Sequence, residues 1–461
     1  MDDFNVIFDV DSYKASHWLQ YPPGTTSMFS YIESRGGLYD KTVFFGLQYY
    51  VKKYLTERIT KGMVEEAKAF YAVHGEPFNY DGWMHIVNAH GGRLPVRIRA
   101  VPEGTVVPTH LPLVTIESTD PKVFWLASWL ETMLVRVWHP INVATTSYHI
   151  KKNIMSFLKN TADDPAAEIN FKLHDFGSRG VSSRESAAIG GAAHLVNFMG
   201  SDTVVGVMAA NRYYNSPMSA FSIPAAEHST ITAWGKEHEV DAYKNMLRQY
   251  AKPNSLVACV SDSYDLFNAV NKLWGEELRQ DVIDSGATLI IRPDSGDPTT
   301  IVRDTLLALE SKFGVTTNTK GYKVLKNVRV IQGDGINAES INNILLVAQA
   351  SGFSASNIAF GMGGGLLQHH NRDTQKFAMK CSSVTVNGEE RDVFKDPITD
   401  HGKRSKPGRL DLEYDEHEHI WTVIRLGSGH VSSTNSIMHT VFENGESLNE
   451  TTLDEVRARA T

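Results

Sequence analysis

His228 stands in Ala225-Ala226-Glu227-His228-Ser229-Thr230, where small apolar residues give way to Ser and Thr that can cap a helix. An imidazole at such a junction can serve as acid, base or nucleophile. Asp262, at the end of Val257-Ala258-Cys259-Val260-Ser261-Asp262, can orient its second ring nitrogen. Arg292-Pro293-Asp294-Ser295-Gly296-Asp297-Pro298 places a fixed cation and two carboxylates in one loop. Arginine forks onto phosphate or carbonyl oxygens, and aspartate accepts from ribose hydroxyls. Gly361-Met362-Gly363-Gly364-Gly365 lets backbone N–H groups approach an anion without side chains in the way. Gln332-Gly333-Asp334-Gly335 adds a carboxylate among glycines, suited to sugar hydroxyls or a metal. His174-Asp175-Phe176-Gly177-Ser178-Arg179-Gly180 combines an aromatic face with an arginine, which suits a planar ring stacked beside a phosphate.

Each segment has a plainer reading. A glycine run can be structural, a lone histidine a satisfied core group, Arg292 and Asp294 a salt-bridged turn. The glycine loop matches neither the G-x-G-x-x-G fingerprint nor the P-loop. Asp175-Phe176-Gly177 lacks the glycine loop and His-Arg-Asp context of a kinase, so that reading is discarded. His417 and His419 alternate along an expected strand and His369-His370 fall in an expected loop; neither pair has a third ligand nearby in sequence, so both are set aside as metal sites.

What favours a site is the placement of these groups. From about Phe124 the chain runs through a Trp-rich helix to Trp138 and a helix near Ser147 to Leu158. It then settles into a strand-then-helix rhythm, with strands ending at Gly177, Gly206, His228, Asp262, Asp294, Gly335 and Gly361. The segments 263–283 and 299–313 have the length and spacing of crossover helices. Serial βα units imply a parallel sheet. Polar residues or glycine at nearly every strand end favour a closed (β/α) barrel, where all those ends converge on one mouth. An open sheet would use only the ends near its switch point.

The first ~120 residues read as α+β, with a helix over 43–55 and a strand over 94–103. After about Arg372 hairpins take over, two of them with Asn387-Gly388 and Asn444-Gly445 at their turns. Two such end pieces are expected to pair into one discontinuous β-rich domain. The expected division is 1–122 and 378–461 for that domain and 123–377 for the barrel.

The 461 residues carry 45 Lys and Arg against 53 Asp and Glu, a net charge of −8, with 42% hydrophobic residues. This composition excludes a disordered chain, and the absence of a basic block argues against sequence-independent nucleic-acid binding. Two cysteines, Cys259 and Cys381, point to buried thiols in a reducing compartment. Met1-Asp2-Asp3-Phe4 carries acid where a targeting peptide would carry base, and no apolar run approaches the ~20 residues that cross a bilayer, so a cytoplasmic location is expected.

Taken together, the motifs resemble the nicotinamide phosphoribosyltransferase family. The resemblance rests on Asp11-Ser12-Tyr13-Lys14 with Gln20-Tyr21-Pro22-Pro23 and on Lys172-Leu173-His174-Asp175-Phe176-Gly177. It continues through Pro224-Ala225-Ala226-Glu227-His228-Ser229-Thr230 and Ile291-Arg292-Pro293-Asp294-Ser295-Gly296 to Gln332-Gly333-Asp334-Gly335 and Gly363-Gly364-Gly365-Leu366-Leu367-Gln368. Phe394-Lys395-Asp396-Pro397 with Lys403-Arg404-Ser405 completes it.

The resemblance implies a type II phosphoribosyltransferase, with a barrel-like α/β domain, a β-rich second domain and a homodimer with shared sites. The implied activity is transfer of phosphoribosyl from 5-phosphoribosyl 1-pyrophosphate to nicotinamide, with ATP as co-substrate and Mg2+ on the pyrophosphate. It implies that Phe176 and the partner chain's counterpart of Tyr13, in the Asp11 motif, sandwich the pyridine ring. Asp202 would accept from the carboxamide, and Arg292 would hold the amide and phosphate side. His228 would be the phosphorylated histidine, supported by Asp262 and Glu227. Ribose hydroxyls would fall to Asp294 and to Asp334 beside Gly333, and the 5′-phosphate to the backbone of Gly363 and Gly364. Pyrophosphate would fall to Arg179 with the partner chain's counterparts of Arg372, Lys380 and Lys395, and Arg35 would be a further nucleotide-phosphate contact. Ser178 and Ala258 depart from the vertebrate pattern of an aromatic residue and a serine, which implies a wider, less polar ring tunnel.

Two rivals frame this reading. A nicotinate phosphoribosyltransferase shares the fold, but Asp202 would face the substrate's carboxylate with a like charge. A binding protein that kept the barrel without catalysis would have no need of the intact polar set.

Overall fold

The computed structural model describes residues 5–399 and 403–461; the acidic start Met1-Asp2-Asp3-Phe4 lies outside them. Two units divide the chain: one holds residues up to Thr145, Arg212–Ser216 and those from His370 on, the other Thr146–Asn211 and Pro217–His369.

In the second unit the short apolar runs become six parallel strands. In spatial order they are Gly200–Ser201, Leu173–Asp175, Ile358–Met362, Val328–Gln332, Thr288–Arg292 and Leu256–Val260. Leu173, Val257, Cys259, Leu289, Ile291, Val328, Val330, Ile358 and Phe360 are all buried, as expected of parallel strands covered on both faces. The edges of this sheet do not stay open. Segment 221–226 bridges Gly200 through Phe221 and Ala258 through Ala225. Its bonds run from Phe221 N to Met199 O (2.8 Å), Ser201 N to Phe221 O (3.2 Å), Ala258 N to Pro224 O (3.0 Å) and Ala226 N to Ala258 O (3.0 Å). A seventh, irregular stave thus closes the ring as a barrel.

Two strand expectations are corrected here. Residues 223–228 form only that isolated bridge, because Pro224 has no N–H to give the ladder. The 202–206 segment is not a strand end: the strand stops at Ser201 and the helix Val204–Tyr214 begins. Val204-Val205 carries a β-like run, but a Cβ on Gly206 would lie 2.8 Å from the Gly191 backbone, so this residue sits against the helix Arg184–His194 at helix-packing distance.

Crossover helices carry the expected signals. Asp297 caps Pro298–Phe313 by accepting from Thr300 N at 2.8 Å, with Pro298 at the first turn and Gly314 at the end. Asn337 caps Ala338–Ala350 in a capping box with Ser340. The expected helix over 263–283 divides into Leu266–Asn268, the π-helix Ala269–Glu277 and Arg279–Ser285.

The first unit is built on a seven-stranded antiparallel sheet. Its order is Glu389–Asp392, Phe377–Val386, Thr25–Ser34, Pro112–Ser118, Val96–Ala100, His439–Glu443 and Glu446–Ser447. Three adjacent strands from the first part of the sequence are thus flanked on both sides by strands from its last part in one sheet. Asn387 (φ 50°) with Gly388 and Asn444 (φ 50°) with Gly445 turn two hairpins in the left-handed region that Asn and Gly tolerate. The Trp-rich segment belongs to this unit, up to Thr145, rather than to the barrel as a boundary at 122 would have it. Trp125 and Trp129 pack edge-on against Trp83 at 5.3 and 5.2 Å, which anchors Leu126–Trp129 there. His417 falls in the turn between Leu410–Asp415 and Ile420–Arg425, and His419 (φ 55°) ends it, so the two do not alternate on a strand. Among the described residues no helix is long and apolar enough to cross a membrane.

Candidate active site

Strand ends position the barrel's chemical groups. His228 opens the short helix His228–Thr232, just past the seventh stave. Its Nε2 lies 3.0 Å from Asp262 Oδ1, and its Nδ1 3.8 Å from Asp294 Oδ2. Asp262 is anchored by its other oxygen, which accepts from Asp294 N (3.1 Å) and the Ser295 hydroxyl (2.5 Å). Burial pushes the Asp262 carboxyl upward, but the Ser295, His228 and Asp294 donors outweigh it and hold the group below the usual carboxylate range. Asp294 goes the other way: desolvation, opposed by Arg292, and repulsion from Asp262 and Asp334 raise it. Glu227 makes its contact elsewhere, accepting the Ser229 hydroxyl.

Beside this group a cavity of about 390 Å³ enters the barrel, lined by Phe176, His174, Asp202, Ser222, Ala258 and Arg292 among others. That size suits a small planar ligand. Phe176 follows the Leu173–Asp175 strand and donates its N–H to Met362 O at 3.0 Å. A Cβ on Gly361 would lie 1.9 Å from the Phe176 ring, so only glycine lets the ring lie there. Asp202 accepts the Ser222 hydroxyl at 2.5 Å. Arg292 keeps its Nε buried without a hydrogen bond among the described residues, 3.9 Å from Asp294 Oδ1, so a donor remains for a ligand. Burial lowers His174 and raises Asp175 to about 6. Asp175 accepts from Gly177 N at 2.7 Å and so shapes the turn carrying Phe176.

The glycine loop completes the mouth. Gly363 precedes the turn Gly364–Leu367, and Cβ atoms on Gly177 and Gly180 would lie 2.9 Å from Gly363 O and 3.2 Å from Gly364 Cα. The loop therefore packs backbone to backbone on the Ser178–Gly180 turn that carries Arg179. Asp334 is exposed past Gly333 at the end of Val328–Gln332.

The first unit gathers the remaining candidates. Arg35, Arg372, Lys380 and Lys395 line a cavity of about 480 Å³ with Lys376 and Lys403. Desolvation lowers Lys380, and Arg35, Lys395 and Arg372 add to that against Glu131. Arg35 gives its Nε to Glu33 at 3.0 Å and keeps a buried NH2 nitrogen without a hydrogen bond among the described residues. A nest of cations at this density calls for a polyanion. Tyr13, on the turn Ser12–Leu19, is 58% exposed, while the Asp11 carboxylate accepts from Thr132 at 2.8 Å and fastens the start of that turn.

Sequence reading missed Ser222, Ser295, Gly361 and Lys376. Serines beside carboxylates carry no spacing signal, and Gly361 was read only as part of an anion loop. Lys376 takes a left-handed φ of 48° that nothing in its type announces.

Residues 171–446 match the nicotinate phosphoribosyltransferase family, and residues 5–98 the N-terminal domain of nicotinamide phosphoribosyltransferase. The chain is 57% identical over 458 residues to a nicotinamide phosphoribosyltransferase of Xanthomonas campestris pv. campestris, covering 99% of this chain and 98% of that one. It is 33% identical to one of Acinetobacter baylyi, covering 99% and 97%. In fold it is similar to a nicotinate-nucleotide pyrophosphorylase from Pyrococcus furiosus (TM-score 0.61, 15% identity, 100% and 96% covered). A human nicotinic acid phosphoribosyltransferase also shares the fold (TM-score 0.54, 14% identity, 98% and 92% covered). A barrel mouth set with His228, Asp262, Asp294 and a glycine loop, together with these full-length identities, leads to one conclusion: the chain belongs to the nicotinamide phosphoribosyltransferases within the nicotinate phosphoribosyltransferase family, and is a pentosyltransferase of the type II phosphoribosyltransferase fold.

Proposed function

We propose that the enzyme transfers phosphoribosyl from 5-phosphoribosyl 1-pyrophosphate to the ring nitrogen of nicotinamide, forming nicotinamide mononucleotide and pyrophosphate in NAD salvage in the cytoplasm. The observation that carries the choice of substrate is Asp202, an acceptor on the rim of the ring-sized cavity, tied to Ser222. A carboxamide NH2 donates to it. Nicotinate would bring a second negative charge within a few Å of it. Similarity to the nicotinamide phosphoribosyltransferases of Xanthomonas and Acinetobacter supports the same reading.

In the transfer the bond from ribose C1 to the diphosphate breaks, its electron pair leaves with the diphosphate, and the pyridine nitrogen bonds to C1. Positive charge builds on the ribose, so carboxylates of Asp294 and Asp334 favour the transition state, as do cations around the leaving group. Phe176 stacks the ring, Arg292 holds the amide and phosphate side, and Gly363 and Gly364 take the 5′-phosphate. Asp294 sits close enough to Asp262 and Asp334 to be repelled by both, a carboxylate set that fits a hard cation. Mg2+ held there and by phosphate oxygens would neutralise charge on the leaving group.

ATP enters through His228. Nucleophilic attack on the γ-phosphorus releases ADP and leaves an N–P bond whose later hydrolysis can draw the transfer forward. In this proposal the homodimer is the catalytic unit: Tyr13, Arg372, Lys380 and Lys395 of one chain serve the ring and diphosphate at the barrel of the other, alongside Arg179, with Arg35 on a nucleotide phosphate.

The test is mononucleotide formation by purified protein from nicotinamide and from nicotinate at matched concentrations, with and without ATP. Nicotinamide is expected to be used far better and ATP to stimulate. Comparable turnover of the two acceptors would overturn the assignment.

A further inference from the structure

Three ligand-bearing groups that the transfer does not use converge in the sheet unit. His85 and His90 lie on the helix Tyr80–His90, and Asp120 begins the turn Pro121–Val123 after the strand Pro112–Ser118. The Nε2 atoms of both imidazoles lie 2.7 Å from the same oxygen, Asp120 Oδ2. Among the described residues this is the cluster of three His, Cys, Asp or Glu groups whose ligand atoms all lie within 4.8 Å of one another.

The convergence has to be built. On a regular helix two side chains five residues apart point about 140° away from each other. His90 is the last helical residue, with left-handed Gly91 (φ 60°) behind it, and there its ring turns back to within 5.6 Å of the His85 ring. Asp120 is preset as well. Its Oδ1 accepts from Lys122 N at 2.9 Å and its carbonyl from the Ser118 hydroxyl at 3.0 Å, which turns Oδ2 toward the imidazoles. Such outer bonds are what orient a ligating carboxylate. All three side chains are half-buried, with exposures of 23%, 28% and 17%.

We propose that His85 Nε2, His90 Nε2 and Asp120 Oδ2 bind one Zn2+, with water as fourth ligand. Two imidazoles and a carboxylate match the borderline-soft preference of zinc. At metal–ligand distances of about 2.0–2.1 Å a tetrahedral site needs its ligand atoms roughly 3.3 Å apart, so the 2.7 Å contacts open by about half an ångström. The ion clips the helix end to the segment that follows the central strand Pro112–Ser118, a structural role separate from the transfer.

The test uses the full-length protein stripped with a chelator. Zn2+ titration by calorimetry should give one ion per chain, and Co2+ should give the intense visible absorption of a tetrahedral site. His85→Gln and His90→Gln should each weaken binding at least about tenfold, abolish the cobalt band and remove the rise in Tm that zinc gives the parent. Both variants should keep mononucleotide formation, which also shows that they fold. Absence of stoichiometric binding to the parent, an octahedral cobalt spectrum, or binding that survives both substitutions overturns the site and leaves a hydrogen-bonded His–Asp–His clasp.

Discussion

The His228 ring is fastened at one edge, with Nε2 3.0 Å from Asp262 Oδ1, while Nδ1 stands 3.8 Å from Asp294 Oδ2, beyond hydrogen-bond length. An N–H at Nε2 aimed at a carboxylate leaves the lone pair on Nδ1, the nitrogen that would take the phosphoryl group in the proposed ATP step.

His228→Ala is therefore expected to remove both ATP stimulation and acid-labile phosphate from the protein, leaving the ATP-independent rate. Asp262→Asn keeps the shape but loses the charge and one of the two acceptor oxygens, and should lower the ATP-coupled rate on the order of 10²-fold. Labelling with γ-phosphate-labelled ATP reads this directly; a phosphoprotein formed by His228→Ala refutes the assignment.

Asp202 and Ser222 are hydrogen-bonded to each other in the lining of the barrel cavity proposed to take the pyridine ring. Losing a hydrogen bond to a charged group corresponds to roughly 10- to 100-fold, so Ser222→Ala should raise KM for nicotinamide within that range and leave KM for 5-phosphoribosyl 1-pyrophosphate alone. Asp202→Asn should shift the ratio of kcat/KM values toward nicotinate. An unchanged ratio in Asp202→Asn would sink the selector role.

Gly361→Ala sets a methyl 1.9 Å from the Phe176 ring carbon. Overpacking of this kind costs about 1–3 kcal/mol, and here the yielding group is the Phe176 ring proposed to stack the substrate. Urea melts should show the loss and steady-state kinetics a raised KM for nicotinamide. Gly388→Ala, at a hairpin turn with open space around it, should leave that KM unchanged.

Asp175, raised by burial from 3.8 to about 6, gives a pH signature. Below pH 4 both folded and unfolded forms hold the proton. As pH rises through 4 the unfolded form ionises first, so stability falls by about 3 kcal/mol until the folded carboxyl ionises near 6, and is level above that. Asp175→Asn should flatten this part of the profile between pH 4 and 6 relative to the parent; parallel profiles would show that Asp175 titrates normally.

Much of this was legible in the residues. Strand-end polarity at Asp262, Asp294 and Asp334 announced one mouth, and Asn-Gly pairs announced two hairpins. What escaped depends on context rather than type. The seventh stave at 221–226 is held by a few bonds that Pro224 interrupts, and period-2 patterning has no means of showing a stave without a ladder. Val204-Val205 reads as strand until Gly206 and Gly191 bring two helices together. His85, His90 and Asp120 escaped because a helix end and a turn 30 residues further along meet only in space.

The seven-stranded sheet also dictates an order of assembly. Its strand Thr25–Ser34 lies between Pro112–Ser118 and Phe377–Val386, and Ser34 Oγ closes onto Gln375 O, 341 residues away. Contacts of that sequence separation form late. The last barrel strand ends at Met362, so a ribosome has delivered every stave before Thr25–Ser34, already flanked in sequence by Pro112–Ser118, receives its second neighbour Phe377–Val386. Arg35 then meets Arg372 and Lys380 only once synthesis has passed Lys380. A polypeptide that ended before that point would lack Lys380 and Lys395 from the cation-lined cavity of the sheet unit, the group proposed to hold pyrophosphate, so it is expected to be inactive.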